Sequence, residues 1–83
     1  MTILYFAWLR QKIGVGEETM IVPDEVKTVA DLIQLLRRRG PHYREAFADL
    51  ARVRVAVDQE HTDFDTPITT AAEVAFFPPV TGG

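Results

Sequence analysis

The segment EVAFFPPVTGG, residues 73–83, decides how this chain of 83 residues is read. Its first half, Glu73 to Phe77, alternates as a strand, with Val74 and Phe76 on one side and Glu73, Ala75 and Phe77 on the other. The opening stretch TILYFAWL, residues 2–9, is just as apolar and carries bulky side chains in both parities. Such strands are covered on both faces and belong in the middle of a sheet. The two ends of the chain are therefore expected side by side at the centre, with whatever follows Phe77 leaving the sheet as a tail.

The intervening sequence supplies the rest of the layers. KIGVGEE, residues 12–18, places glycines at Gly14 and Gly16, and Thr19 to Val22 reads as a second strand stopped by Pro23 and Asp24. Thr28 and Asp31 have capping-box spacing, and Val29, Leu32, Ile33 and Leu36 follow at helical intervals. Arg37, Arg38 and Arg39 fall in the last turn of that helix, where cations meet the negative end of the dipole, and Gly40–Pro41 ends it. Tyr43, Phe47 and Leu50 indicate a shorter second helix. VRVAV, residues 53–57, alternates as a third strand, and a short edge strand is expected over residues 60–62.

This order predicts an α+β domain of the β-grasp, ubiquitin-like type: a mixed sheet of four to five strands, one main helix and a second short helix. The domain is expected over residues 1–77 and a flexible tail over residues 78–83. One helix covers one side of such a sheet, so parity decides what stays open. Thr2 and Arg10 bracket Leu4, Phe6 and Trp8 as the outward set of the first strand, and Glu73, Ala75 and Phe77 are that of the last. Phe6, Trp8 and Phe77 are thus candidate partner-binding residues, beside Ala56 and Ala75. The alternative is that the second helix, or the loop around Phe64, covers them as ordinary core.

Composition narrows the chemistry. With 47% hydrophobic and 25% charged residues the chain has the profile of one soluble globular domain. At this length it buries under about 70% of its unfolded surface, which leaves little room for an enclosed active site. A net charge of −3 argues against a sequence-independent nucleic-acid binder. Cysteine and serine are both absent, which removes disulfides, thiol ligands and the commonest acyl-transfer nucleophiles. The apolar start is too short to span a bilayer and has no basic segment before it, so a cytoplasmic protein without a membrane partner is expected.

The remaining motifs have plain readings. His42 and His61 are far apart and have no thiol to help them, so no metal site is expected. DQEHTDFD, residues 58–65, lacks the glycine and the terminal glutamate of a calcium loop and is a solvated acidic loop. GVGEE, residues 14–18, has two glycines and leads into a strand, so it is a turn and no phosphate cradle.

No catalytic constellation is left, and the tail becomes the candidate site. A carboxylate is a poor electrophile until adenylation by ATP turns it into a mixed anhydride. Gly83 has no Cβ to shield its carbonyl, and Gly82 frees the backbone for a narrow channel. Pro78 and Pro79 stiffen the exit, and with Val80 and Thr81 the six residues reach at most about 20 Å. That reach suits delivery of the Gly83 carboxylate into another protein's pocket.

ILYFAWLR, VRVAVDQE, FDTPIT and above all EVAFFPPVTGG resemble the small subunits of molybdopterin synthase, the ubiquitin-like sulfur carriers of the MoaD type. The likeness runs over essentially the whole chain. It departs at TTAAE, where the family tends to an Asp-Gly turn, and at VDQ, where an Asn often precedes the Gln. The resemblance implies a carrier in molybdenum-cofactor biosynthesis with no catalysis of its own and no bound cofactor. An E1-like enzyme, consuming ATP, would adenylate Gly83, and a sulfurtransferase would supply sulfur to form a thiocarboxylate. The large synthase subunit would then receive the tail in a heterotetramer and pass sulfur to cyclic pyranopterin monophosphate. A thiamine-type sulfur carrier and a non-carrier β-grasp interaction domain are the alternatives.

Overall fold

The computed structural model describes residues 1–79. Nine elements follow one another: β1 (Thr2–Tyr5), α1 (Ala7–Ile13), β2 (Glu17–Thr19), α2 (Val29–Arg37), α3 (Pro41–Ala46), a 3-10 turn (Leu50–Arg52), β3 (Arg54–Val57), β4 (Glu60–Thr62) and β5 (Glu73–Phe77). The sheet order is β2-β1-β5-β3-β4. β1 and β5 are parallel neighbours at its centre, and the other three pairings are antiparallel. This is the expected β-grasp arrangement, with the two ends of the domain paired in the middle.

α2 forms where its sequence signals place it. The Thr28 hydroxyl accepts from the Asp31 N–H at 3.3 Å, and the Asp31 carboxylate accepts from the Thr28 N–H at 3.2 Å, a complete capping box. Val29, Leu32, Ile33 and Leu36 are fully buried against the sheet. Facing them are Ile3, Tyr5, Val74, Phe76 and Val55, all buried.

The first strand departs from expectation. It stops at Tyr5 instead of running to Leu9, because Ala7 takes a left-handed φ of 56° that breaks the extended backbone. The chain then turns into α1, which buries Leu9 and Ile13 one helical turn apart and ends on Gly14 at φ 97°. The extra helix displaces Trp8 from the sheet altogether. β2 also moves, to Glu17–Thr19 in place of the expected 19–22, where Glu17, Glu18 and Thr19 pair with Leu4, Ile3 and Thr2.

α3 settles which face stays open. Phe47, which caps it, is fully buried and meets Phe76 edge-on at 5.0 Å. Tyr43 of the same helix lies 6.5 Å from Tyr5. Phe64 packs partly buried against this same core. Both segments therefore lie on the α2 side, and neither covers the opposite face of the sheet.

Candidate functional site

Strand register assembles the open face. Leu4 of β1 stands beside Ala75 of β5, Ala75 beside Ala56 of β3, and Ala56 beside His61 of β4. Paired residues share a face, so this row crosses four strands. The next row holds Phe77 opposite Arg54, with Phe6 following Tyr5, the last residue of β1. The Phe6 N–H donates to the Phe76 carbonyl at 3.1 Å, which keeps the two chain segments together where β1 ends. Except for Arg54, these side chains line one shallow apolar groove together with Gln59 and Glu73.

Of the three aromatic residues expected on this face, Phe6 and Phe77 are there. Phe6 is 49% exposed. Trp8 is not part of the groove. It sits on α1, half-buried against the core, with the Arg52 guanidinium 5.0 Å above its ring. Strand parity holds through Phe6, whose backbone is still extended, but not past Ala7, and the assignment of Trp8 to the face fails for that reason. His61 was overlooked as a lining residue: its ring lies 5.0 Å from that of Phe77. Its place opposite Ala56 follows once the two-residue turn at Asp58 and Gln59 is recognised, with φ 48° and 71°.

Asp58 does more than turn the chain. Its carboxylate accepts from the N–H groups of Ala72 and Glu73, both at 2.9 Å, and its own N–H donates to the Glu73 carbonyl. These bonds fix the start of β5 and hence the line along which Phe77 and the prolines leave the sheet. Pro78 and Pro79 are half-buried as they depart. Val80, Thr81, Gly82 and Gly83, expected to form the business end of the tail, lie outside the described residues.

Among the described residues no group of three or more His, Cys, Asp or Glu is arranged to hold a metal ion. Among the same residues no helix is long and apolar enough to cross a membrane. The groove is mainly apolar, with His61 and Glu73 as its titratable members.

The comparisons with known proteins agree with this geometry. The family model described as the ThiS family matches residues 3–83. The molybdopterin synthase sulfur carrier subunit of Escherichia coli (strain K12) is 38% identical over 81 residues, covering 98% of this chain and 96% of that protein. Among solved structures, SAMP1 from Haloferax volcanii matches with a TM-score of 0.76 at 27% identity, over 100% of this chain and 98% of that one. The putative molybdopterin converting factor, subunit 1, from Pyrococcus furiosus matches with a TM-score of 0.74 at 30% identity, over 95% of each. With a central β1–β5 pair, an uncovered aromatic groove and a family match that reaches Gly83, the chain belongs to the ThiS family, as a sulfur carrier of the MoaD type.

Proposed function

We propose that this protein is the sulfur-carrier subunit of a molybdopterin synthase and that its working group is the α-carboxylate of Gly83. The observation that carries the reading is the 38% identity to a protein of that description along nearly the full length of both chains. The geometry supports it. Phe77 ends the central strand inside the apolar groove, so a partner that grips the groove also receives the chain that follows.

The chemistry needs nothing from this chain beyond its carboxylate. A Gly83 carboxylate oxygen attacks the α-phosphorus of ATP on an E1-like activating enzyme and expels pyrophosphate. A sulfide equivalent from a sulfurtransferase then attacks the carbonyl carbon, forming C–S and releasing AMP. In the large subunit the sulfur passes to cyclic pyranopterin monophosphate, and a water oxygen restores the carboxylate. Catalytic side chains belong to the partners, and no bound cofactor is required. A heterotetramer of two small and two large subunits is the assembly this cycle would use, in the cytoplasm.

The test is direct. Incubation with ATP, the activating enzyme and a sulfur donor should release pyrophosphate and raise the intact mass by exchange of one oxygen for one sulfur. Deleting Gly83 should abolish both changes and leave the thermal unfolding curve in place. Activation that survives the deletion would refute the carrier reading. Sulfur transfer to a thiazole synthase, with none through the large subunit, would assign the chain to the thiamine-type carriers instead.

A further inference from the structure

We propose that Arg52 and Arg54 form a pre-organised cationic clamp beside the root of the tail, and that it docks a carboxylate-bearing lip on the protein that receives the tail. The inference rests on the carrier reading and adds the chemistry of the partner's surface to it.

Both arginines sit where the 3-10 turn enters β3. Arg54 is the cross-strand partner of Phe77, the last strand residue before Pro78. Its Nη1 donates to the carbonyls of Ala51 and Val53, each at 3.1 Å, which folds the guanidinium back along the turn. Arg52 is held by a different device, with its Cζ 5.0 Å from the centroid of the Trp8 ring. Trp8 in turn lies two residues beyond Phe6, whose N–H is bonded to Phe76. The two charges are therefore tied to the chain segments that flank the tail exit. Both side chains are exposed.

Among the described residues neither arginine is paired with a carboxylate. The described residues contain one ion pair, Arg39 with Glu18 at 2.7 Å. Asp49 precedes this turn and Asp63 lines the same surface depression as Arg54, and the hydrogen bonds of both carboxylates are local. Asp49 accepts from the Ala51 N–H, and Asp63 accepts from the Asp65 N–H and the Thr66 hydroxyl. In a chain with twelve acidic and nine basic residues, two cations held in place and without a carboxylate partner among the described residues are available to an external anion. Holding them still lowers the entropy cost of that contact, which flexible arginines would have to meet on binding.

Geometry favours a protein carboxylate over a nucleotide phosphate. A tail fully extended from Pro79 to Gly83 would carry its carboxylate up to about 17 Å away, and ATP bound at such a tip would lie beyond reach of the clamp. What meets the clamp is the rim of the channel that the tail enters. Charges at such a rim act mainly on association rate and salt dependence.

The experiment titrates the large synthase subunit with full-length carrier at about 50 and 300 mM salt, where screening differs strongly. Wild type, Arg52→Gln/Arg54→Gln, Arg52→Lys/Arg54→Lys and Phe77→Arg are compared. The glutamine pair should bind about tenfold more weakly at low salt and show a flattened salt dependence, with its unfolding curve unchanged. The lysine pair should keep most of the salt dependence. Glutamine variants with wild-type affinity and salt slope would overturn the clamp, and if Phe77→Arg still abolished binding, the carrier reading would stand without it. Loss of pyrophosphate release with unchanged large-subunit binding would overturn it in favour of nucleotide contact. Absence of wild-type binding would overturn both readings.

Discussion

At the scale of single residues, Glu18 has the heaviest duty away from the tail. Its carboxylate accepts from the hydroxyls of Tyr5 and Tyr43 at 2.7 and 2.8 Å and from Arg39 Nη1 at 2.7 Å. One side chain thereby ties edge strand β2 to β1, to α3 and to the end of α2. Partial burial opposes its charge, but the three donors outweigh that and hold its pKa below the usual carboxylate value. Burial, and then the bond to Glu18, pushes the Tyr5 phenol far above its ordinary range. Replacing Glu18 by Ala leaves the Tyr5 hydroxyl without its acceptor and should cost about 2 kcal/mol in urea unfolding. The pH sign follows from the direction of the shift. A depressed native pKa contributes stability in full above the ordinary carboxylate range, and that contribution disappears as pH falls through the lowered native value. Stability measured from pH 7 down to pH 3 should therefore fall more steeply for wild type than for Glu18→Gln, the two curves converging at the acid end. Parallel curves would show that Glu18 is not a linked group.

Among the elements, α1 and the 3-10 turn were hidden and β2 was displaced, while the others were legible, for identifiable reasons. β5 is visible because Glu73 to Phe77 alternates cleanly, and α2 because its capping box and apolar spacing agree. TILYFAWL misleads because its bulky residues fit a doubly covered strand as well as a strand followed by a helix. The discriminating signal was present in Leu9 and Ile13, four apart, with Gly14 next, the pattern of a helix that buries one face and ends on a left-handed residue. Trp8 was misplaced with the strand, whereas Phe6 and Phe77 could be placed on one face from parity alone. The charged clamp could not be read from sequence, since the approach of Arg52 to Trp8 joins segments 44 residues apart. Gly14 gives the element a test. Open space surrounds the point where a Cβ would sit, so Gly14→Ala meets no clash and isolates the cost of φ 97°. That cost should be about 1 kcal/mol of stability, with pyrophosphate release unaffected. A neutral substitution would mean that the helix end relaxes without penalty.

For the whole molecule, the two faces of the sheet have separate duties. One is sealed by α2 and α3 and makes the fold, while the other carries Phe6, Phe77 and Leu4 around the small Ala56 and Ala75 with no helix over them. The separation predicts that docking can be destroyed without unfolding. Phe77 is half-buried on the open face, where its neighbours are His61 and Arg54, and no helix packs over it. In Phe77→Arg the new side chain can extend into solvent in the free protein, so the thermal midpoint should change little. In a complex the same charge would be enclosed against an apolar partner surface without a counterion, at a cost of about 2 kcal/mol or more in affinity for the large subunit. Phe76→Arg is the matched control, because Phe76 is fully buried under Phe47 and Tyr5 and its replacement should unfold the free domain. Should Phe77→Arg lower the free protein's stability as far as Phe76→Arg does, the open face is structural core. If it leaves both stability and affinity untouched, the groove is not the docking surface and recognition rests on the tail.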